Sequence, residues 1–161
     1  MGNQSLTAQA VIVLLGLRPL EGEGGFYRET YRLEAPDGSP AATAIYYLLT
    51  SETFSELHRL PHDELYHFYL GDPVELLQLG PGGVAVRWTL GSDLALGMDM
   101  QALVPGGHWQ GSRLRDGGSF ALMGTTMTPG FQVVTYERGV RRELQVAFPD
   151  QSAEIARLTR D

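Results

Sequence analysis

The sequence has no cysteine, and this absence excludes both disulfide bonds and any metal site with thiolate ligands. Positive charge is also scarce: 12 basic residues stand against 19 acidic ones, which gives a net charge of −7. Because phosphate contacts need a basic surface, we predict no nucleic-acid partner. A small anionic ligand stays compatible with this charge, since a local pair of arginines is enough to hold one.

Long hydrophobic runs are missing as well. Residues 8–17 are apolar, but the segment is short and no basic region precedes it, so it does not have the form of a signal peptide. No stretch approaches the roughly 20 apolar residues that a membrane helix needs. We therefore predict a cytoplasmic protein with no membrane partner.

The length of 161 residues and the apolar share of 43% are typical of one globular domain, which we predict over residues 1–161. Residues 5–17 carry apolar side chains at the helical period, with Ser5 or Asn3 available as the N-cap. Pro19 and the glycines that follow it end this helix. Two further short helices are predicted near the end of the chain, at residues 141–148 and 150–158.

Short strands fill the middle of the chain, each rich in β-branched or aromatic residues and bounded by Gly, Pro, Asp or Ser. We predict them at residues 26–33, 43–49, 54–58, 65–70, 74–79, 84–90, 101–104, 119–125 and 132–136. Many short strands at regular spacing indicate an antiparallel sandwich or barrel. The sequence therefore predicts an all-β fold with an N-terminal helix and short C-terminal helices.

Ionisable side chains are concentrated in residues 54–73, which contain His58, His62, Asp63, Glu64 and His67. Imidazole and carboxylate are the usual groups for metal ligation and for proton transfer near neutral pH. His58 and His62 are four residues apart, but the proline between them makes a shared helical face improbable. Strand alternation sends Glu64 and His67 to opposite faces, and we assign His62 to a solvated turn.

This stretch resembles the first conserved motif of the cupin superfamily, a His-x-His pair followed by a glutamate and then, after six intervening residues, a glycine. His58, Glu64 and Gly71 match that motif, whereas Leu60 stands at its second histidine. The resemblance implies that only part of the usual cupin metal site is retained.

A second cupin motif, Pro-x-Gly-x-x-His, is matched by Pro105 and Gly107, but its histidine position is Gln110. If a divalent metal is the cofactor, the resemblance implies His58, Glu64 and Gln110 as its ligands. Amide oxygen is a weak ligand compared with imidazole. The incomplete motif therefore favours chemistry without a metal.

At the level of families, the sequence resembles the small, functionally uncharacterised cupins of the "cupin 5" type, and the resemblance covers about residues 14–148. The segments that carry it are residues 24–32, 44–49, 54–71, 104–110 and 124–131. It implies a double-stranded β-helix, that is, a jelly-roll barrel, with a small-molecule ligand in the barrel mouth. Because such cupins are often dimeric, we predict a homodimer.

A more distant likeness to keto-sugar-nucleotide epimerases implies that His58 is a general base. Four further side chains are candidates for ligand binding beside Gln110. Arg28 and Arg113 are suited to a carboxylate or phosphate, and Tyr27 lies on the same strand as Arg28. Trp109 has a ring that suits stacking, although the ordinary role of such a tryptophan is in a core or interface.

Three functional hypotheses follow. In the first, a metal-free acid–base isomerase or epimerase acts on a sugar-like or keto-acid ligand. His58 is then the base, Glu64 its orienter or the acid, and His67 a supporting residue. In the second, the enzyme holds a divalent metal weakly on His58, Glu64 and Gln110. In the third, the barrel binds a ligand without catalysing a reaction.

Overall fold

The chain folds into two antiparallel sheets that face each other, which confirms the predicted double-stranded β-helix. This computed structural model describes residues 6–160. The strands are β1 (Arg18–Pro19), β2 (Phe26–Glu34), β3 (Pro40–Thr50), β4 (Phe54–Arg59), β5 (Glu64–Gly71), β6 (Val74–Leu79), β7 (Ala85–Leu90), β8 (Gln101–Val104), β9 (Trp109–Leu114), β10 (Phe120–Met127) and β11 (Glu137–Arg138).

One sheet has the order β1-β2-β3-β10-β5-β8 and the other the order β11-β4-β9-β6-β7. Because successive side chains of a strand point to opposite faces, each strand has one face inside the barrel and one outside. The inner faces form an apolar core of Tyr47, Leu49, Tyr66, Phe68, Val74, Leu76, Leu90, Ala102, Val104, Leu114, Ala121 and Met123. This core fills much of the barrel interior and leaves polar side chains on the walls beyond it.

Helices cover the outer faces of both sheets. The first, α1 (Ala8–Leu15), packs Val11 against residues of β3 and β10 on the six-stranded sheet. The second and third, α2 (Arg141–Ala147) and α3 (Ser152–Arg157), pack Leu144 and Ile155 onto the five-stranded sheet. The apolar stripes of these short helices therefore find partners on the barrel rather than on each other alone.

The start of α1 differs in detail from the prediction. Thr7 is its N-cap, and the Thr7 hydroxyl oxygen accepts a hydrogen bond of 3.2 Å from the backbone N–H of Ala10. The predicted caps, Ser5 and Asn3, lie outside the described residues. Within residues 6–160, no helix has both the length and the apolar character required to cross a lipid bilayer.

One strand prediction was wrong, and three strands, β1, β9 and β11, were not predicted. Residues 132–136 form a loop that contains the short 3₁₀ turn Val133–Thr135, because the chain crosses here from one sheet to the other and has no strand beside it to pair with. Strand β9 was not predicted, although it lies between β4 and β6. Its inner face carries Gln110 and Ser112, so the sequence lacks the apolar alternation of an ordinary half-buried strand.

Gly25 provides a test of the packing between β2 and β3. Its φ is +77°, and an added Cβ would lie 2.8 Å from the carbonyl oxygen of Leu48. We expect Gly25→Ala to lower the free energy of unfolding by about 2 kcal/mol or more. The strain of an alanine at positive φ and the close contact of its Cβ with the Leu48 carbonyl oxygen both contribute to this loss. Gly38→Ala is the matched control, since Gly38 has a φ of +82° and nothing within 4 Å of its added Cβ. Equal losses in urea unfolding of the two variants would contradict the contribution from crowding.

Candidate functional site

A small chamber of about 70 Å³ lies inside the barrel, walled mainly by β2, β3, β5 and β10. Its polar and aromatic lining consists of Glu23, Tyr27, Glu29, Thr43, Tyr47, Glu64, Tyr66, Thr125 and Phe131. The chamber adjoins an outer groove of about 660 Å³, with which it shares Leu20, Glu23, Tyr27 and Phe131. A ligand can therefore place one end in the chamber and the rest of its body in the groove.

Glu64, at the start of β5, is the buried carboxyl group of the chamber. Only 7% of the residue is exposed, and its Oε2 accepts a hydrogen bond of 2.8 Å from Nε2 of Gln110. Burial raises the pKa of Glu64, and the nearby charge of Glu23 raises it further. Charge interaction with His58 and hydrogen bonds with Thr125 and Gln110 act in the opposite direction and lower this pKa. Glu64 is therefore suited to hold a proton at a higher pH than an ordinary glutamate.

Glu23 is the second carboxyl group of the chamber, and it was not among the predicted site residues. It lies between glycines in the loop before β2, a segment that the sequence indicated only as the end of a helix. Its Oε1 accepts a hydrogen bond of 2.8 Å from the hydroxyl of Ser55, and its Oε2 is 4.0 Å from Nε2 of His58. A carboxylate within a glycine-rich loop is a weak sequence signal, but loops of this kind often carry functional groups.

His58, on β4, is 1% exposed and lies next to Glu23. Its Nδ1 is 2.7 Å from the backbone carbonyl oxygen of Glu56. Because a carbonyl oxygen only accepts, Nδ1 must be the donor, and the neutral ring then has its lone pair on Nε2, the atom nearest Glu23. The ring also stacks on Tyr136, with centroids 4.9 Å apart. This fixed orientation leaves Nε2 as the ring nitrogen nearest Glu23, at 4.0 Å from Oε2.

Gln110 and Ser112, on the inner face of β9, each have a buried oxygen that finds no hydrogen-bond partner among residues 6–160. These atoms are Oε1 of Gln110 and the hydroxyl oxygen of Ser112. Buried polar atoms are nearly always paired with protein or with ordered water. Oε1 of Gln110 can therefore accept one further hydrogen bond, and the hydroxyl group of Ser112 can donate or accept one, at this polar end of the barrel.

The residues that stand at the metal-ligand positions of the cupin motifs are poorly suited to bind a metal ion. Leu60 offers no ligand atom, and Gln110 directs its amide nitrogen, not its oxygen, toward Glu64. Residues 6–160 contain no group of three or more His, Asp or Glu side chains arranged to hold a metal. One histidine with one glutamate is a small donor set compared with the three or more protein ligands of usual centres. These residues therefore do not form the donor set of a usual metal centre.

The structure brings some of the predicted site residues together and separates others. Tyr27 and Glu64 both line the chamber, and Gln110 is hydrogen-bonded to Glu64. His67 lies on the outer face of β5, where its ring nitrogens bond Thr126 at 3.0 Å and Gln101 at 2.9 Å. Burial lowers the pKa of His67, which favours the neutral ring. His67 therefore does not reach the carboxyl groups of the chamber.

The other three ligand-binding candidates also lie outside the chamber. Arg28 lies over the ring of Tyr46, 5.4 Å from its centroid, on the outer face of the six-stranded sheet. Trp109 packs with the C-terminal helices and is covered by Arg59, and Arg113 lines a different cavity. Strand alternation explains this separation, because each of these residues neighbours a residue of the inner face.

Comparison with known proteins gives a family and a fold. Residues 9–138 match the sequence model of a family described as "Cupin superfamily (DUF985)". The structure is similar to that of a hypothetical protein from Leishmania major, at 30% identity over 97% of this chain and 100% of the other, with a TM-score of 0.86. It is also similar to a protein from Shewanella oneidensis, at 33% identity over 96% and 98% of the two chains, with a TM-score of 0.89.

A more distant similarity connects the chain to oxalate decarboxylase from Bacillus subtilis. A mutant of that enzyme superposes with a TM-score of 0.57 at 14% identity, over 88% of this chain and 37% of the other. At this identity the likeness shows a shared fold alone. A search of the curated proteins found no match.

Proposed function

Because the chain belongs to the cupin superfamily, in the family designated DUF985, we propose that its barrel binds a small molecule and isomerises or epimerises it by metal-free acid–base chemistry. One observation carries this proposal: Glu23 and Glu64 line the same chamber, and His58 lies against Glu23. Two ionisable groups in different environments are the usual requirement for an acid and a base at one pH.

In the proposed reaction, Glu64 is the acid and the pair of Glu23 and His58 is the base. The carboxylate of Glu23 removes a proton from a carbon next to a carbonyl group of the ligand, and the C–H electron pair becomes the new C=C bond. Glu64 gives its proton to the carbonyl oxygen, so that an enol forms. Glu23 and His58 close the gap of 4.0 Å between them, and Nε2 of His58 accepts the proton from Glu23. A water molecule then protonates the other face of the carbon with the electron pair of the C=C bond, and the resulting hydroxide takes the proton from His58. The enol O–H proton returns to Glu64 as the carbonyl group re-forms, which completes epimerisation.

The charge of the chamber favours a neutral, hydroxylated ligand, that is, a sugar-like molecule over a keto acid. Three carboxyl side chains line it, those of Glu23, Glu29 and Glu64, and no arginine is among its lining residues. A free carboxylate inside would meet the like charge of Glu23, whereas hydroxyl groups can donate hydrogen bonds to the carboxyl oxygens. His67 takes no part in this reaction because its ring is on the outer face of β5, bonded to Thr126 and Gln101.

Binding and proton exchange test the proposal together. In a thermal-shift panel of neutral keto sugars and keto acids, we expect stabilisation by the neutral members, about 2.7 kcal/mol at a hundred times Kd. With a ligand found in this way, incubation in D₂O should place deuterium on the carbon next to the carbonyl, as seen by proton NMR. His58→Gln should slow this exchange, and His67→Gln should leave it unchanged.

The remaining hypotheses predict different results from the same measurements. Exchange that appears only with an added divalent cation and stops with a chelator would support the metal enzyme and contradict our proposal. Binding of a ligand without any deuterium incorporation would support a barrel that only binds. The homodimer stays a prediction, which sedimentation equilibrium can check.

A further inference from the structure

A second cavity, of about 300 Å³, lies on the outer side of the five-stranded sheet, beside α3. It shares no lining residue with the chamber. Its charged lining residues are Glu75, Arg87, Arg113, Glu154 and Arg157. The sequence contains no lysine, so all 12 of its basic residues are arginines, whose planar guanidinium groups match the forked geometry of oxyanions.

Two of the arginines at this cavity have carboxylate partners of their own. Arg87 binds Glu154, with Nε 2.9 Å from Oε1 and 3.1 Å from Oε2. Arg115, next to the cavity, has its Nε 3.5 Å from Oε1 of Glu75. These pairs are close to charge balance and are not expected to attract an anion strongly.

Arg113 and Arg157, in contrast, share a single carboxylate oxygen. The Oδ1 of Asp116 is 2.6 Å from Nη2 of Arg157 and 3.4 Å from Nη2 of Arg113. These two guanidinium groups and one carboxylate together carry one positive charge. Glu75, the cross-strand neighbour of Arg113, has Arg115 as its ion-pair partner. The side chain of Asp116 is 75% exposed and lies in a turn, so it is free to give way to a competing anion.

The Nε–H of Arg113 is a second, independent indication that this cavity binds an anion. This atom is buried, and it has no hydrogen-bond acceptor in the part of the chain that the structure describes. The side chain as a whole is 29% exposed, so the exposed part is elsewhere in the group, and an acceptor from the cavity reaches Nε only when the guanidinium group shifts. A buried donor on a charged group is costly to leave unpaired, so an acceptor is expected beside it.

We propose that this cavity binds the carboxylate or phosphate group of a small molecule between Arg113 and Arg157. One oxygen accepts from Nε of Arg113, and another takes the place of Asp116 at Arg157. Leu77 and Leu158 offer apolar contacts for the remainder of the molecule. The site is separate from the chamber, and it holds an anion where the chamber favours a neutral ligand.

Titration of the protein with inorganic phosphate and, separately, with acetate tests this site. We expect saturable binding of one of them by calorimetry and a matching shift of the Arg113 Nε–H signal in a ¹H–¹⁵N spectrum. Arg157→Gln should weaken binding at least about tenfold, the equivalent of one charged hydrogen bond. Asp116→Asn should tighten binding, because it removes the competing carboxylate. The control Arg28→Gln should change nothing.

Two results would overturn the proposal. The first is an Arg113 Nε–H signal that neither anion moves while the calorimeter records no binding. The second is binding that Arg157→Gln and Arg28→Gln weaken equally, which would indicate attraction by overall charge. Preference for phosphate over acetate, or the reverse, would identify which of the two groups the natural ligand carries.

Discussion

Glu64→Gln is expected to reduce deuterium exchange into the ligand about a hundredfold or more, while the protein stays folded. Glutamine keeps the shape of the side chain and an oxygen that accepts from Gln110, but it has no proton to give to the ligand. A neutral amide therefore preserves the hydrogen bond of 2.8 Å and removes only the acid. Glu29→Gln is the control, since Glu29 also lines the chamber but is paired with Arg32 at 2.9 Å.

The same substitution is expected to stabilise the protein at neutral pH. Because burial and the charge of Glu23 raise the pKa of Glu64, the folded protein binds this proton more tightly than the unfolded chain does. The contribution of Glu64 to stability is then present below the unfolded pKa of 4.5 and is lost as pH rises through the folded pKa. Glu64→Gln should therefore gain about 1 kcal/mol at pH 7, typical of replaced functional residues.

Urea unfolding of wild type and Glu64→Gln at several pH values checks the sign of this effect. The gain should disappear below about pH 4, where Glu64 is protonated in both the folded and the unfolded state. A variant that loses stability at pH 7, or one that retains full exchange, would contradict the assignment of Glu64 as a buried acid.

Glu56→Gln is expected to lower the free energy of unfolding by about 3 kcal/mol, the largest stability effect that we predict. Glu56 is 1% exposed, and its Oε1 accepts from Nε of Arg138 at 3.0 Å and from the backbone N–H of Arg160 at 2.9 Å. Its Oε2 is 3.2 Å from Nη1 of Arg160. An amide in this place would lose the charge that holds the end of the chain against β4.

Glu137, which precedes Arg138 in β11, is the matched control for Glu56. Glu137 binds Arg59 with Nε 2.9 Å from Oε2, but its side chain is 52% exposed. Glu137→Gln should therefore cost no more than about 1 kcal/mol, as is usual for surface pairs. Similar losses in both variants during urea unfolding would show that burial of Glu56 is not what makes its ion pairs important.

Local patterns in the sequence determined most of the fold. The strands β6 and β8 were predicted at their observed bounds, and the helices at both ends of the chain were confirmed, since side-chain periodicity and turn residues act over a few neighbours. Strand β9 was missed because its inner face is polar, and residues 132–136 were wrongly assigned because a strand needs a neighbour for pairing. Sequence spacing does not report either of these conditions.

For the candidate site, the resemblance to the cupin motifs proposed His58, Glu64 and Gln110, and strand alternation predicted that Glu64 and His67 point apart. Only the tertiary structure decided that Glu23 joins them, because a loop residue 35 positions before His58 reaches the chamber through packing. It also placed Arg113 in a separate cavity with Arg157. Alternation fixes which face a side chain takes, but the closure of the barrel decides which side chains meet across it.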